Sequence, residues 1–69
     1  MKIGFIGLGL MGGSIARAVR YFYPEAEIIA ASRTRASVER AIEDGVVSRA
    51  AEGVTGDFGD CDYIFLCAP

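Results

Sequence analysis

Histidine is absent from this 69-residue chain, and lysine occurs once, as Lys2. Proton transfer at a reacting hydroxyl most often uses one of those two side chains. Lys2 opens the first strand, far from the candidate site described below, so a general acid or base is expected outside these residues. Cysteine is scarce as well. Cys61 and Cys67 are separated by five residues, a spacing that fits neither a zinc-ligand set nor a C-x-x-C redox pair. With no histidine to activate it, Cys67 is not read as a nucleophile. Both are expected as buried or half-buried thiols outside any disulfide, which suits a reducing cytoplasm. A strong excess of charge is lacking too: seven basic residues are scattered among nine acidic ones, for a net charge of −2. That leaves no footprint for nucleic acid. No apolar run approaches membrane-spanning length, and no basic-then-apolar leader opens the chain. A soluble, cytoplasmic protein without a membrane partner is expected.

What is present is apolar. Residues of that class make up 52% of the chain, natural for strands buried on both faces of a parallel sheet. Lys2 to Ile6 are expected to form the first strand. A helix should run from Met11 to about Tyr23, where Pro24 cannot continue it. Ile15, Val19 and Phe22 recur at helical spacing and should face the sheet, with Arg17 and Arg20 outward. Glu27 to Ala31 form a second strand, reached by a right-handed crossover. A second helix spans about Ala36 to Asp44, with Val38, Ala41 and Ile42 inward and Gly45 as a left-handed cap. Val46-Val47 should begin a short third strand or extended turn. Ser48 to Asp62, with Gly53, Gly56, Gly59 and the solvated carboxylates Asp57, Asp60 and Asp62, reads as loop with one helical turn near Arg49 to Glu52. Tyr63 to Pro69 read as a buried final strand.

Between the first strand and the first helix stands Gly7-Leu8-Gly9-Leu10-Met11-Gly12. Strand, glycine turn and helix in that order make G-x-G-x-x-G a dinucleotide-binding fingerprint. Gly7 permits the tight turn, Gly9 lets the backbone lie against a pyrophosphate, and Gly12 lets the helix pack close to the strand it left. The helix then aims unpaired N–H groups and its positive dipole end at the phosphates. Leu8, Leu10 and Met11 complete the candidate cofactor contacts of this turn. Gly13 serves either close helix packing or ligand approach. Ser14 offers a hydroxyl to the phosphates or to its own backbone.

About 20 residues beyond the glycines, an acidic side chain would hold the ribose hydroxyls and favour NAD. Here Ser32, Arg33 and Thr34 occupy that place. A hydroxyl and a guanidinium attract the extra phosphate of NADP, so NADP is the expected coenzyme and NAD the alternative. Cys67, Ala68 and Pro69 end the last strand, where ligands lie in open parallel sheets. Proline there equally serves to stop a strand. These residues amount to an α/β, Rossmann-type, doubly wound parallel sheet, of which residues 1–69 are the N-terminal, βαβαβ-like part. A truncated sheet of this kind is expected to be open, three- or four-stranded and incomplete at one edge.

The stretch from Gly7 to Ala16 resembles the opening of prephenate dehydrogenases, in which a second glycine and a serine commonly follow the fingerprint. Ala41 to Ala50 are similar to that family's helix, glycine cap and short strand, and Cys61 to Pro69 to its fourth strand. The resemblance implies the cofactor-binding part of an NAD(P)-dependent prephenate or arogenate dehydrogenase. Such an enzyme converts prephenate to 4-hydroxyphenylpyruvate by oxidative decarboxylation, in tyrosine and aromatic amino acid biosynthesis. It also implies a catalytic histidine and serine further along, and a helical substrate domain, absent here, through which a homodimer forms. The family commonly has an acidic residue where Ser32 stands, a departure that bears on NAD use. Pyrroline-5-carboxylate reductases and β-hydroxyacid dehydrogenases share much of the pattern. The former usually carry Asn-Met within the turn, and the latter lack the Gly-Gly-Ser continuation. A non-catalytic NADP-sensing module is the reading from another class.

Overall fold

The computed structural model describes residues 1–51 and 58–67. In chain order these form β1 (Lys2–Ile6), α1 (Gly9–Phe22), β2 (Glu27–Ala31), α2 (Arg35–Glu43), β3 (Arg49–Ala50) and β4 (Tyr63–Leu66). The strands make one parallel sheet in the order β3-β2-β1-β4. This is the α/β, Rossmann-type arrangement. Ile3 and Phe5 of β1, with Ile28 and Ala30 of β2, face both helices, where they bury against Ala16, Val38 and Ala41. The opposite face holds Ile29 and Ala31 under Phe58. Gly4 belongs to that second face, and a side chain there would meet the Phe58 ring at 2.5 Å. Phe5, Ile28 and Ile29 are the largest side chains wholly removed from water. Each contributes about 1.5–3 kcal/mol by burial, so the two central strands carry the core.

The strands β1 and β2 occupy the residues expected of them. Both helices begin earlier, α1 at Gly9 rather than Met11 and α2 at Arg35 rather than Ala36. The third strand departs more. Val46 and Val47 are buried, and both of their amides turn to the Ala41 carbonyl at the end of α2 (2.9 and 3.2 Å). They plug the core beneath the helix, and ladder pairing starts only at Arg49. The expected helical turn near Arg49 is therefore strand, and Glu52 lies outside the described residues, as do Gly53, Gly56 and Asp57.

Four burial expectations also change. Phe22 is exposed and meets Tyr21 edge-on, while Arg20 is drawn in. The Arg20 guanidinium donates to the carbonyls of Pro24, Ala26 and Val46 and to Ser48 Oγ (2.7–3.3 Å). The guanidinium gives these turn carbonyls a charged donor, and charge-assisted hydrogen bonds are the stronger ones. Ile42 sits at the rim of α2, half out of the core. The strand β4 is an edge strand among the described residues, paired only to β1. Tyr63, Ile64 and Leu66 are exposed, and only Phe65 turns inward, stacked on Phe5 with ring centroids 5.1 Å apart. The run is apolar as a doubly covered strand should be, but no described element covers its outer face.

Candidate functional site: a glycine turn at the sheet crossover

The strand β1 has β2 on one side and β4 on the other, so connections leave it in opposite directions. A crevice opens at the carboxyl ends of strands at such a point. The Gly7 turn stands at its centre. Gly7 and Gly9 take positive φ (81° and 49°), backbone that L side chains resist. The Gly7 amide donates to the Ala31 carbonyl at 2.7 Å, which ties the turn to the end of β2. On the other side, the Cys67 amide donates to the Ile6 carbonyl at 2.9 Å. Three segments distant in sequence are thereby brought to one edge: Gly7–Gly12, Ser32–Thr34 and Cys67.

Within the turn each residue has a distinct place. Leu8 is buried and anchors the turn to the core, while Leu10 and Met11 stand exposed above it. A side chain at Gly9 would meet nothing, so the backbone there is open to a ligand. Gly12 is buried, and a Cβ on it would lie 2.9 Å from the Gly7 carbonyl and 3.2 Å from Cys67 Cβ. The first turn of α1 has no side-chain cap and no acidic residue. Its amides keep their donor capacity and a positive local field, the electrostatics an anion requires. Ser14 bonds instead to the Leu10 carbonyl (3.0 Å). A Cβ at Gly13 would meet nothing within 4 Å, so helix packing does not require that glycine.

Beyond β2, half-buried Ser32 accepts the Thr34 amide at 3.3 Å and shapes the bend into α2. Thr34 is the N-cap of α2 but makes no side-chain cap bond, and α2 also lacks an acidic first turn. Arg33 is exposed, without an ion pair or side-chain hydrogen bond among the described residues. Ala68 and Pro69 lie outside the described residues, and Cys67 is half-buried against α1. Cys61 belongs elsewhere, at the amino end of β4 under Gly4. Burial pushes its thiol upward, Lys2 opposes that, and Asp60, Asp62 and Glu27 add to it.

Sequence reasoning did not anticipate the groove between α1 and α2. It runs from Leu8, Gly9 and Leu10 past Gly13 and Ser14 to Arg17, with Ser37, Arg40, Ala41 and Val46 as its far wall. Arg17 closes its lower end by pairing with Asp44 at 3.0 Å. Helical periodicity placed Arg17 outward, which is correct, but periodicity does not say which outward residues of two helices meet.

Residues 2–69 match the family described as the NAD binding domain of 6-phosphogluconate dehydrogenase. Among solved structures, the chain is similar over its whole length to Synechocystis arogenate dehydrogenase, with 36% identity and a TM-score of 0.84. Its fold is also that of part of A. aeolicus prephenate dehydrogenase, solved with hydroxyphenyl propionate and NAD+, at 21% identity and a TM-score of 0.85. The chain spans 24% of the length of either neighbour.

Proposed function

Because the chain belongs to the family of the NAD-binding domain of 6-phosphogluconate dehydrogenase, we propose that it is the N-terminal cofactor-binding part of an NADP-dependent dehydrogenase acting on prephenate or arogenate. The observation that carries the reading is the Gly7–Gly12 turn, which joins two strand ends and the uncapped start of α1 in one crevice. The residues present fit a nicotinamide dinucleotide. Gly9 leaves its backbone uncovered, and the amides at the start of α1 are offered to the pyrophosphate. Gly7 and Gly12 hold the turn and helix close enough to form that surface. Leu10 and Met11 cover the dinucleotide from the solvent side. Ser32, Arg33 and Thr34 take the adenosine ribose and its 2′-phosphate. Cys67 borders the ribose on the nicotinamide side. The coenzyme supplies the hydride acceptor.

The absence of histidine and the position of Lys2 leave proton removal to residues of the parent protein outside these 69. The substrate domain and a homodimer formed through it belong to that part also, in a cytoplasmic setting. The arogenate dehydrogenase neighbour supports the substrate class, and Ser32 with Arg33 supports the coenzyme. The experiment is a nicotinamide absorbance assay on the parent protein with prephenate and with arogenate, each with NADP and with NAD. A rise that depends on one of these substrates and is larger with NADP supports the reading. No rise with either substrate overturns it.

A further inference from the structure

We infer that the groove between α1 and α2 extends the cofactor site, with Arg40 as a specificity-determining cation for the 2′-phosphomonoester of NADP. This rests on the coenzyme reading above and adds a residue to it. The first ground is how the arginines are used. Arg17 pairs with Asp44, Arg35 with Glu39 and Arg49 with Glu27, while Arg20 is held by carbonyls. Arg33 and Arg40 are the two without an ion pair or side-chain hydrogen bond among the described residues. Arg33 is on the loop at the rim of the crevice, and Arg40 lines the groove that opens into it.

The second ground is the level at which Arg40 stands. The Arg17–Asp44 pair marks where α1 and the end of α2 come level. One turn back from each partner, about 6 Å at 1.5 Å per residue, are Gly13 and Arg40. Helical side chains lean towards the helix N-terminus. Arg40 stands in the last turn of α2, and its side chain therefore leans back up the groove, whose upper wall is Leu8, Gly9 and Leu10.

The third ground is Gly13. Glycine inside a helix costs about 1 kcal/mol relative to alanine. No neighbour would obstruct a Cβ at this position, so packing does not explain the glycine. An open groove floor facing Arg40 does. Ala16, Ala41 and Leu8 make part of that floor apolar, and a partly dry floor strengthens a cation–phosphate pair. Arg33 then meets the phosphate from the rim and Arg40 from below.

The test is titration of the intact parent protein with NADP and NAD, in the wild type and in Arg40→Ala, Arg40→Lys, Arg33→Ala and Arg35→Ala. Removing one charge-assisted bond lowers affinity by about 10- to 100-fold. Arg40→Ala is expected to weaken NADP by that factor and leave NAD within about twofold. Arg40→Lys recovers part of the loss. Retained NAD binding shows that the variant is folded. Adenosine 2′,5′-bisphosphate should lose potency as a competitor against Arg40→Ala, and 5′-AMP should not. An NADP-to-NAD ratio unchanged in Arg40→Ala but collapsed in Arg33→Ala overturns this inference and leaves the coenzyme reading standing. A ratio lowered as much by Arg35→Ala also overturns it, since that effect is net charge alone. A wild type that does not prefer NADP overturns both.

Discussion

Gly12 and Gly13 are neighbours in one helix, and the structure predicts opposite outcomes when each is replaced by alanine. Both changes gain the same helix propensity, about 1 kcal/mol at most. At Gly13 nothing opposes that gain, because the added Cβ meets no atom within 4 Å. At Gly12 the Cβ lies 2.9 Å from the Gly7 carbonyl, 0.5 Å inside the 3.4 Å of ordinary contact, and 3.2 Å from Cys67 Cβ. The first obstacle is backbone and cannot rotate away, so α1 must lift from the turn. Overpacking of this kind costs about 1–3 kcal/mol. Since the propensity gain is common to both, the difference between the variants isolates the overpacking cost. Gly13→Ala should be more stable than the wild type by up to about 1 kcal/mol, whereas Gly12→Ala should be less stable than Gly13→Ala by about 1–3 kcal/mol. Urea unfolding of both variants measures this, and dinucleotide titration should show weaker binding for Gly12→Ala. Equal stability of the two variants, with binding intact in Gly12→Ala, would refute the close approach of α1 to the turn.

Arg33→Ala should weaken NADP by about tenfold or more and leave NAD nearly unchanged, measured as dissociation constants of the parent protein. Alkylation of Cys67 should slow when the coenzyme is bound, since its side chain lies against Gly12; an unchanged rate in mass spectrometry places the thiol outside the site. Arg20→Ala should destabilise by about 2–3 kcal/mol, because the Val46 and Ala26 carbonyls lose a charged donor; Arg20→Lys, lacking the guanidinium fork, should restore only part of that in urea unfolding. Cys61 has its folded pKa raised by burial from 9.0. Its contribution is fully present below pH 9 and is lost as pH rises through the folded value, because the unfolded chain gives up the proton first. Wild-type stability should therefore fall above pH 9 more steeply than that of Cys61→Ala, and parallel curves would count against it.

The parts of the fold legible in the sequence are those where one strong local signal stands unopposed. The alternating faces of Ile3, Gly4 and Phe5 suit a strand at any register, and Pro24 and Gly45 close the helices by covalent geometry alone. The Gly7–Gly12 turn is readable for the same reason. Its glycines answer backbone angles and contacts that act within a few residues, as Gly7 and Gly9 at positive φ and Gly12 beneath the Gly7 carbonyl show. Val46-Val47 mislead because two β-branched residues read as strand, whereas the Ala41 carbonyl captures both amides. Phe22 misleads because spacing assigns it a face without saying that α1 has by then reached the chain turn where Arg20 is held.

The arginines show where legibility ends. In the sequence they are scattered, and the scatter correctly argues against a nucleic-acid surface. Scatter along the chain says nothing about scatter in space. The crossover β3-β2-β1-β4 carries α1 and α2 to one face of the sheet, so Arg17 and Arg40 line a single groove although 22 residues separate them. Which of them is available to a ligand then depends on Asp44, which engages Arg17 and not Arg40. Removing that carboxylate should therefore change coenzyme binding without any loss of positive charge. In Asp44→Ala the Arg17 guanidinium is released at the lower end of the groove, one turn from Gly13. NADP binding should tighten while NAD is unaffected, and unchanged NADP affinity would refute the release of Arg17 into the groove. Loss of NADP affinity in this variant would mean that the ion pair itself, by fixing α2 beside α1, sets the position of Arg40.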